Sequence, residues 1–343
     1  MVFRYKPAFL PGLAFLLLLS ACGNGPDASL QSAMEASPAY ASLSDSIKLH
    51  PENAGLYMRR AVRLTLDNAH ELAYRDFKKA WSLEPAVETA LPFAANLQIL
   101  GKSRERLDLL KECDSKFPAS QQLQRLLADA YAENGNREMA LRQYQDILKR
   151  NPEDFETWYE QALLLEQLKD TANAISSLQK AYGLQAVATY GLELAHLYAE
   201  QKNAKALGIC NEILKQDSAA VLIDPLFIKG IYFANTKQYP KAIIQFDSCI
   251  QRDWKTTDAY LEKGIAWYHL QNYKAAINTF NMAITVSNTD PDAYYWLGRC
   301  YEATQNKTEA IDNYQKSLSL DKNFTDARDA MERLQSGFGD ASH

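Results

Sequence analysis

The stretch YYWLGRCYEATQNKTEAIDNYQKSL, residues 294–318, holds two amphipathic runs on either side of a polar turn. In the first run Tyr294, Leu297 and Tyr301 recur at helical spacing, with Gly298 directly after the Leu. The turn is Gln305-Asn306, and the second run carries Ala310, Tyr314 and Ser317. Apolar residues three and four apart share one face of a helix, so each run predicts a short helix and the pair predicts a helical hairpin. A lone hairpin of this kind could sit in any globular core. Recurrence of its spacing would make it one unit of an array.

The spacing recurs. A small residue stands at Ala61, Ala94, Ala128, Ala162, Ala195, Gly230, Gly264 and Gly298, at intervals of 33 to 35 residues. Three positions on come Leu64, Leu97, Tyr131, Leu165, Tyr198, Phe233, Trp267 and Tyr301. About twelve positions on come Ala73, Ala140, Ala174, Ala206, Ala242, Ala276 and Ala310, with Arg106 as the exception. Four beyond most of these is a second large residue: Phe77, Tyr144, Leu178, Phe246, Phe280 and Tyr314. Small residues let two helices approach closely, and the large ones fill the space beside them.

This pattern resembles the tetratricopeptide repeat, a 34-residue helix-turn-helix. The resemblance implies an all-α fold, a right-handed superhelical solenoid in which each hairpin covers its neighbour's apolar face. It spans residues 54–324 in eight units: 54–86, 87–120, 121–154, 155–187, 188–222, 223–256, 257–290 and 291–324. Pro85, Pro118 and Pro152 close the first three. Two units depart from the pattern. The second has Pro92 inside its first helix and Arg106 in an Ala slot, and the fifth is one residue short in its turn. Residues 37–53 read as a leading cap helix. Residues 325–343 read as a capping helix and tail, the helix closed by Gly337.

The first 21 residues read as a secretory signal: Arg4 and Lys6, an apolar run from Ala8 to Leu19, then small residues. Leu19-Ser20-Ala21-Cys22 resembles the bacterial lipobox, which implies a lipidated Cys22 at the mature N-terminus. Stable membrane hold takes two or more acyl chains, each buried CH₂ contributing about 0.8 kcal/mol. Gly23 stands where an Asp would signal inner-membrane retention, so the expected location is the outer membrane of a bacterial envelope, facing the periplasm. Residues 22–36, small and polar, read as a tether with a root-mean-square span of about 20 Å.

Few residue sets point to chemistry. Net charge is −5, with Lys and Arg scattered rather than striped, which speaks against nucleic acid. None of His50, His70, His196, His269 and His343 has a partner at H-E-x-x-H spacing, and His50, His70 and His343 read as solvated. Leu100-Gly101-Lys102-Ser103 mimics the end of a phosphate loop, but Asn96 stands where that loop needs Gly. Cys113, Cys210, Cys249 and Cys300 fall at helix positions and read as buried thiols. Only Cys210 and Cys249 are on second helices of adjacent units, near enough to consider a bridge. No cofactor, metal, small-molecule substrate or catalytic residue is expected.

The resemblance further implies partner binding along the concave face, lined by the first helix of each hairpin. The corresponding residues include Tyr159, Glu160, Leu192, Glu193, Phe227, Ile231, Glu262, Ile265, Tyr268, Tyr295, Trp296 and Arg299. Aromatics mixed with acids suit a peptide with apolar anchors and some basic character, with Trp296, Tyr295, Tyr268 and Phe227 as anchors. Aromatics at helical spacing also suit a core. Two functions remain open on these residues: an envelope scaffold that binds protein segments reversibly, or a permanent structural subunit of a secretion or outer-membrane assembly machine.

Overall fold

The computed structural model describes residues 38–336, and the segments read as signal and tether, with Cys22, Gly337 and His343, lie outside them. The described residues form eighteen α-helices and no strand. Contacts divide the chain into two compact units, one ending at Asn134 and one beginning at Gly135. The first contains α1 (Pro38–Leu49), α2 (Ala54–Leu66), α3 (His70–Leu83), α4 (Val87–Ile99), α5 (Ser103–Lys116) and α6 (Gln121–Glu133). The second contains α7 (Arg137–Arg150), α8 (Phe155–Gln167), α9 (Thr171–Leu184), α10 (Ala188–Glu200), α11 (Lys205–Gln216) and α12 (Asp224–Asn235). It continues with α13 (Tyr239–Arg252), α14 (Thr257–His269), α15 (Tyr273–Val286), α16 (Pro291–Ala303), α17 (Lys307–Leu320) and α18 (Thr325–Ser336). Within each unit the helices stack as an all-α solenoid of repeated hairpins.

In the first unit Ala61, Leu64, Phe77, Ala94, Leu97 and Leu110 share one buried cluster with Tyr40 of α1. Polar contacts fasten α1 to the hairpin behind it. Arg60 donates through Nε and Nη2 to Asp76 at 2.6 and 2.8 Å, and through Nη1 to Ser44 Oγ at 3.0 Å, all three residues being buried. Arg106 is 1 % exposed in its Ala slot, with Nη1 2.8 Å from Glu133 Oε2 at the end of α6. His70 departs from the solvated reading. It is half-buried, with Nδ1 3.2 Å from Asn96 Oδ1, and Asn96 Nδ2 donates to the His70 carbonyl at 3.1 Å.

In the second unit each second helix packs on the first helix of the next hairpin, and α10, α12, α14 and α16 also contact one another in succession. The small slots are where paired helices meet. A Cβ built on Gly298 would lie 2.7 Å from Cε1 of Tyr314, and one on Gly264 would lie 2.7 Å from Cζ of Phe280. Tyr314, Phe280 and Phe246 are all fully buried, so none of these rings has room to retreat.

The hairpin turns share a feature that their residue types conceal. Asn68, Gly101, Gly135, Lys169, Lys202, Lys237, Gln271 and Gln305 all have positive φ, between 58° and 82°. Each follows the small residue of its repeat by seven positions. At Asn68, Gly101, Lys169, Lys202, Lys237, Gln271 and Gln305 this left-handed backbone reverses the chain after the first helix, and the amide of the next residue returns to the helix end, as Asn272 N does to the Trp267 carbonyl at 3.0 Å. The fifth repeat, short by one residue in this turn, continues into a longer connection over residues 217–223. There Asp217 accepts from the amides of Val221 and Leu222 at 3.0 and 2.9 Å and from Arg252 Nη1 at 2.8 Å.

Cys113, Cys210, Cys249 and Cys300 are free and buried. Burial pushes the Cys113 thiol up to about 11 and the other three to about 12, which makes them inert small hydrophobes at neutral pH. No described helix is long and apolar enough to cross a membrane.

Two expectations follow from the packing. Gly264→Ala gains helix propensity of about 1 kcal/mol, yet the overpacking against Phe280 should win and leave a net loss of ~1–3 kcal/mol. Gly208→Ala is the control, because that glycine lies in α11 with nothing within 4 Å of an added Cβ. It should gain about 0.5–1 kcal/mol. Urea unfolding of the two variants should give changes of opposite sign. In the first unit, Asp76→Ala should cost about 3–5 kcal/mol in the same assay, because it removes two charge-assisted hydrogen bonds from the buried Arg60 guanidinium.

Candidate interaction face

The first helices of the second unit carry the residues expected to meet a partner, and the structure sorts them by depth. Tyr159, Glu160, Leu192, Glu193, Phe227, Ile265, Tyr268 and Arg299 are half-buried. Ile231, Glu262, Tyr295 and Trp296 are buried, at 9, 6, 6 and 7 % exposure. For Tyr295 and Trp296 this corrects the expectation of protruding anchors. Tyr295 is enclosed by Tyr314 and Phe324, with ring centroids 5.8 and 5.1 Å away, and Trp296 stands edge-on to Tyr268 at 5.3 Å. Repeat position gives a side chain's direction. The depth is set by the ring that the next helix brings over it.

Four of the expected residues converge at α14 and α16. Arg299 donates through Nη1 to Tyr295 Oη at 2.9 Å and through Nη2 to Tyr268 Oη at 3.1 Å. Its guanidinium carbon lies 5.5, 5.8 and 5.6 Å from the ring centres of Tyr268, Tyr295 and Trp296. This is a cation held among three aromatic rings, an arrangement worth about 0.5–2 kcal/mol for each good stack. Arg299 is thereby committed within the protein.

A second group forms at α8 and α10. Tyr159 stacks on Tyr190 with centroids 4.4 Å apart, and Phe155 lies 6.3 Å from the same ring. Tyr190 is a contributor that the repeat register alone does not pick out. Burial, then the charge of Glu193, raises the Tyr159 phenol to about 12. Glu193 and Glu166 are each raised, first by burial, with His196 opposing. Burial works to lower His196, but the hydrogen bond and charge of Glu200, with Glu193 and Glu166 behind it, raise it overall. Its Nε2 lies 3.5 Å from Glu200 Oε1.

Acid accumulates at the start of the first helices further along. Asp290 caps α16 by accepting from the Asp292 amide at 2.9 Å, yet burial still raises its carboxyl. Asp292 is pushed up to about 6 by burial and then by Asp290, Asp321 and Asp326. Asp258, at the open edge of α14, is raised by burial and by Asp290. Glu262, one turn deeper, is pushed up to about 8, first by burial and then by Asp258 and Asp292. Its Oε1 is buried without a hydrogen-bond partner. The described residues hold no cluster of His, Cys, Asp and Glu able to ligate a metal ion. Phe227, 5.6 Å from the ring of Phe246, lies on α12 between these two groups in the chain.

Family models described as "Tetratricopeptide repeat" match residues 125–190 and 291–324. No curated protein matches. Among solved structures, a chain of the APC/C hetero-tetramer Cut9-Hcn1 is similar at 16 % identity and a TM-score of 0.50, the match covering 90 % of this chain and 58 % of that one. The C-terminal part of a TPR repeat-containing protein from Cytophaga hutchinsonii is 16 % identical, with a TM-score of 0.52 over 70 % of this chain and 98 % of that one. PilW, described as a widely conserved type IV pilus biogenesis factor, is 16 % identical, with a TM-score of 0.54 over 62 % of this chain and 100 % of that one. At such identities the likeness is one of fold.

Ionising Glu262 should cost stability, with a definite sign. Folding raises its pKa from 4.5 to about 8, so its stabilising contribution is present below about pH 4.5 and is lost as pH climbs towards 8. Glu262→Gln carries no charge at any pH. It should match the wild type near pH 4.5 and exceed it increasingly up to pH 8, by on the order of 1–3 kcal/mol, where the limit is about 1.4 kcal/mol per pH unit. Urea unfolding measured at steps across that range checks both the direction and the window.

Proposed function

We propose that this chain, a tetratricopeptide-repeat protein, is a lipid-anchored scaffold of a bacterial cell envelope that binds segments of partner proteins and performs no reaction itself. Anchoring rests on Cys22 and the residues around it, which resemble a lipobox. Two acyl chains would hold the protein to a membrane, and residues 23–36 would let the repeats turn towards partners. With Gly23 after the lipidated Cys, the outer membrane facing the periplasm is the location this reading favours.

Binding rests on the inner helices of the second unit. The observation that carries it is Glu262, whose carboxyl is buried with Oε1 unpaired and is pushed up to about 8 by that burial and then by Asp258 and Asp292, a cost that an apolar residue in its place would not carry. Tyr159, which feels the charge of Glu193, and Phe227 are half-buried and supply apolar surface on other first helices of the unit. Aromatic bodies with acids between them suit an extended segment carrying apolar and basic residues.

A second reading, a permanent subunit of an assembly machine, draws on the second helices of the second unit. Ile244, Trp254 and Met282 are there 60, 61 and 55 % exposed, on or next to second helices. The two readings differ in which side meets protein.

Two measurements test the proposal. Cys22→Ser should abolish labelling by a palmitate analogue and move the protein from the membrane to the soluble fraction, and an unchanged distribution would refute the anchor. A photo-crosslinking residue placed at Phe227 should capture partner protein in intact cells, whereas one at Ile244 should not. Capture confined to Ile244 would transfer the function to the outer side.

A further inference from the structure

Glu262 is 6 % exposed, and its Oε1 is sealed from water with no donor in reach. A buried carboxyl oxygen of this kind costs about 1–3 kcal/mol when nothing pairs with it. The charges acting on it are Asp258, one turn earlier on α14, and Asp292, in the first turn of α16. Both are negative. Lys263, next in the chain, is engaged elsewhere through Nζ with Asp247, and Arg299 of α16 is held by Tyr268 and Tyr295. What the site lacks is a compact positive group bearing several N–H donors.

We infer that Asp258, Glu262 and Asp292 form a receptor for one aliphatic ammonium group, the end of a lysine side chain in a partner's extended segment. The inference rests on the inner-face reading above and narrows it to one side chain at one place. An ammonium brings three donors and one charge on a flexible four-carbon stem, which suits a carboxyl set one turn in from the exposed Asp258. Its charge would answer all three carboxylates at once, and its stem would lie along apolar side chains of the inner helices.

The site should behave as a coupled proton and cation site. Free, the Glu262 carboxyl is protonated through most of the range up to about pH 8. A docked ammonium favours the ionised form, so docking at neutral pH releases the proton to solvent. Affinity should therefore rise as pH rises from about 6 and level off above about 8, where Glu262 is already ionised.

The test uses the full chain with ¹³C-labelled Asp and Glu, observed by carboxyl NMR, and the probe is Nα-acetyl-lysine N-methylamide at millimolar concentration. The isosteric norleucine compound serves as control. Signals are assigned with Asp258→Asn, Glu262→Gln and Asp292→Asn. The expected result is saturable movement of the three site carboxyls with lysine alone, a downward shift of the Glu262 titration midpoint, and at least a tenfold loss of lysine affinity in Glu262→Gln. An unchanged midpoint, equal movement with norleucine, or equal movement of carboxyls on the second helices would overturn the inference. If lysine fails while Phe227 still crosslinks a partner in cells, this inference falls and the scaffold reading stands. If lysine binds while Phe227 captures nothing, the receptor stands and the scaffold reading falls.

Discussion

The close approach of two helices at a residue without bulk is the constraint from which the rest of this structure follows. Where Gly298 faces Tyr314 and Gly264 faces Phe280, the first helix lies so near the ring that even a methyl group would collide with it. The ring in turn is wholly enclosed, so it fixes the rotation of both helices about their axes. Once that rotation is set, every other position of the hairpin has a direction. Residues next to the small slot turn inward to the following hairpin, and those on the far side of the second helix meet water. Because the same contact recurs at one spacing, residues with the same repeat position line up along each unit.

This also explains what could be read from the amino-acid sequence and what could not. The hairpins were legible because their defining contact needs a particular size of side chain at two positions sixteen residues apart, and size is visible in the letters. The left-handed residue in each turn was not. Glycine announces such a backbone at Gly101 and Gly135, but Lys169, Lys237 and Gln271 adopt it under the force of the helix pairs on either side. Arg106 was legible as an oddity, while its resolution through Glu133 depended on where the following helix ends.

For the interaction face, direction was legible and depth was not. Trp296 and Glu262 share the same inner side of their hairpins with Tyr159, yet Tyr159 is half-buried and they are nearly closed off. The difference comes from neighbours that the repeat pattern does not specify. Tyr268 lies edge-on to Trp296, and the rings of Tyr314 and Phe324 cover Tyr295. Aromatic side chains were expected to serve the partner; many of them serve the core.

The acids then carry the argument that the aromatics were expected to carry. Burial of an aromatic ring is favourable whether or not a partner exists, so it says little about binding. Ionisation of a buried carboxyl with only other carboxylates acting on it is unfavourable in the free protein, which keeps the proton instead, and becomes favourable when a cation arrives. Glu262 is such a group. A side chain whose environment opposes its charged form in the free protein, and would favour it in a complex, couples proton affinity to partner affinity. The second unit is therefore organised so that the same packing that makes the hairpins rigid also holds this carboxyl away from water. Loosening the hairpins around Glu262 would relieve its burial, and with it the preference for a cation over solvent.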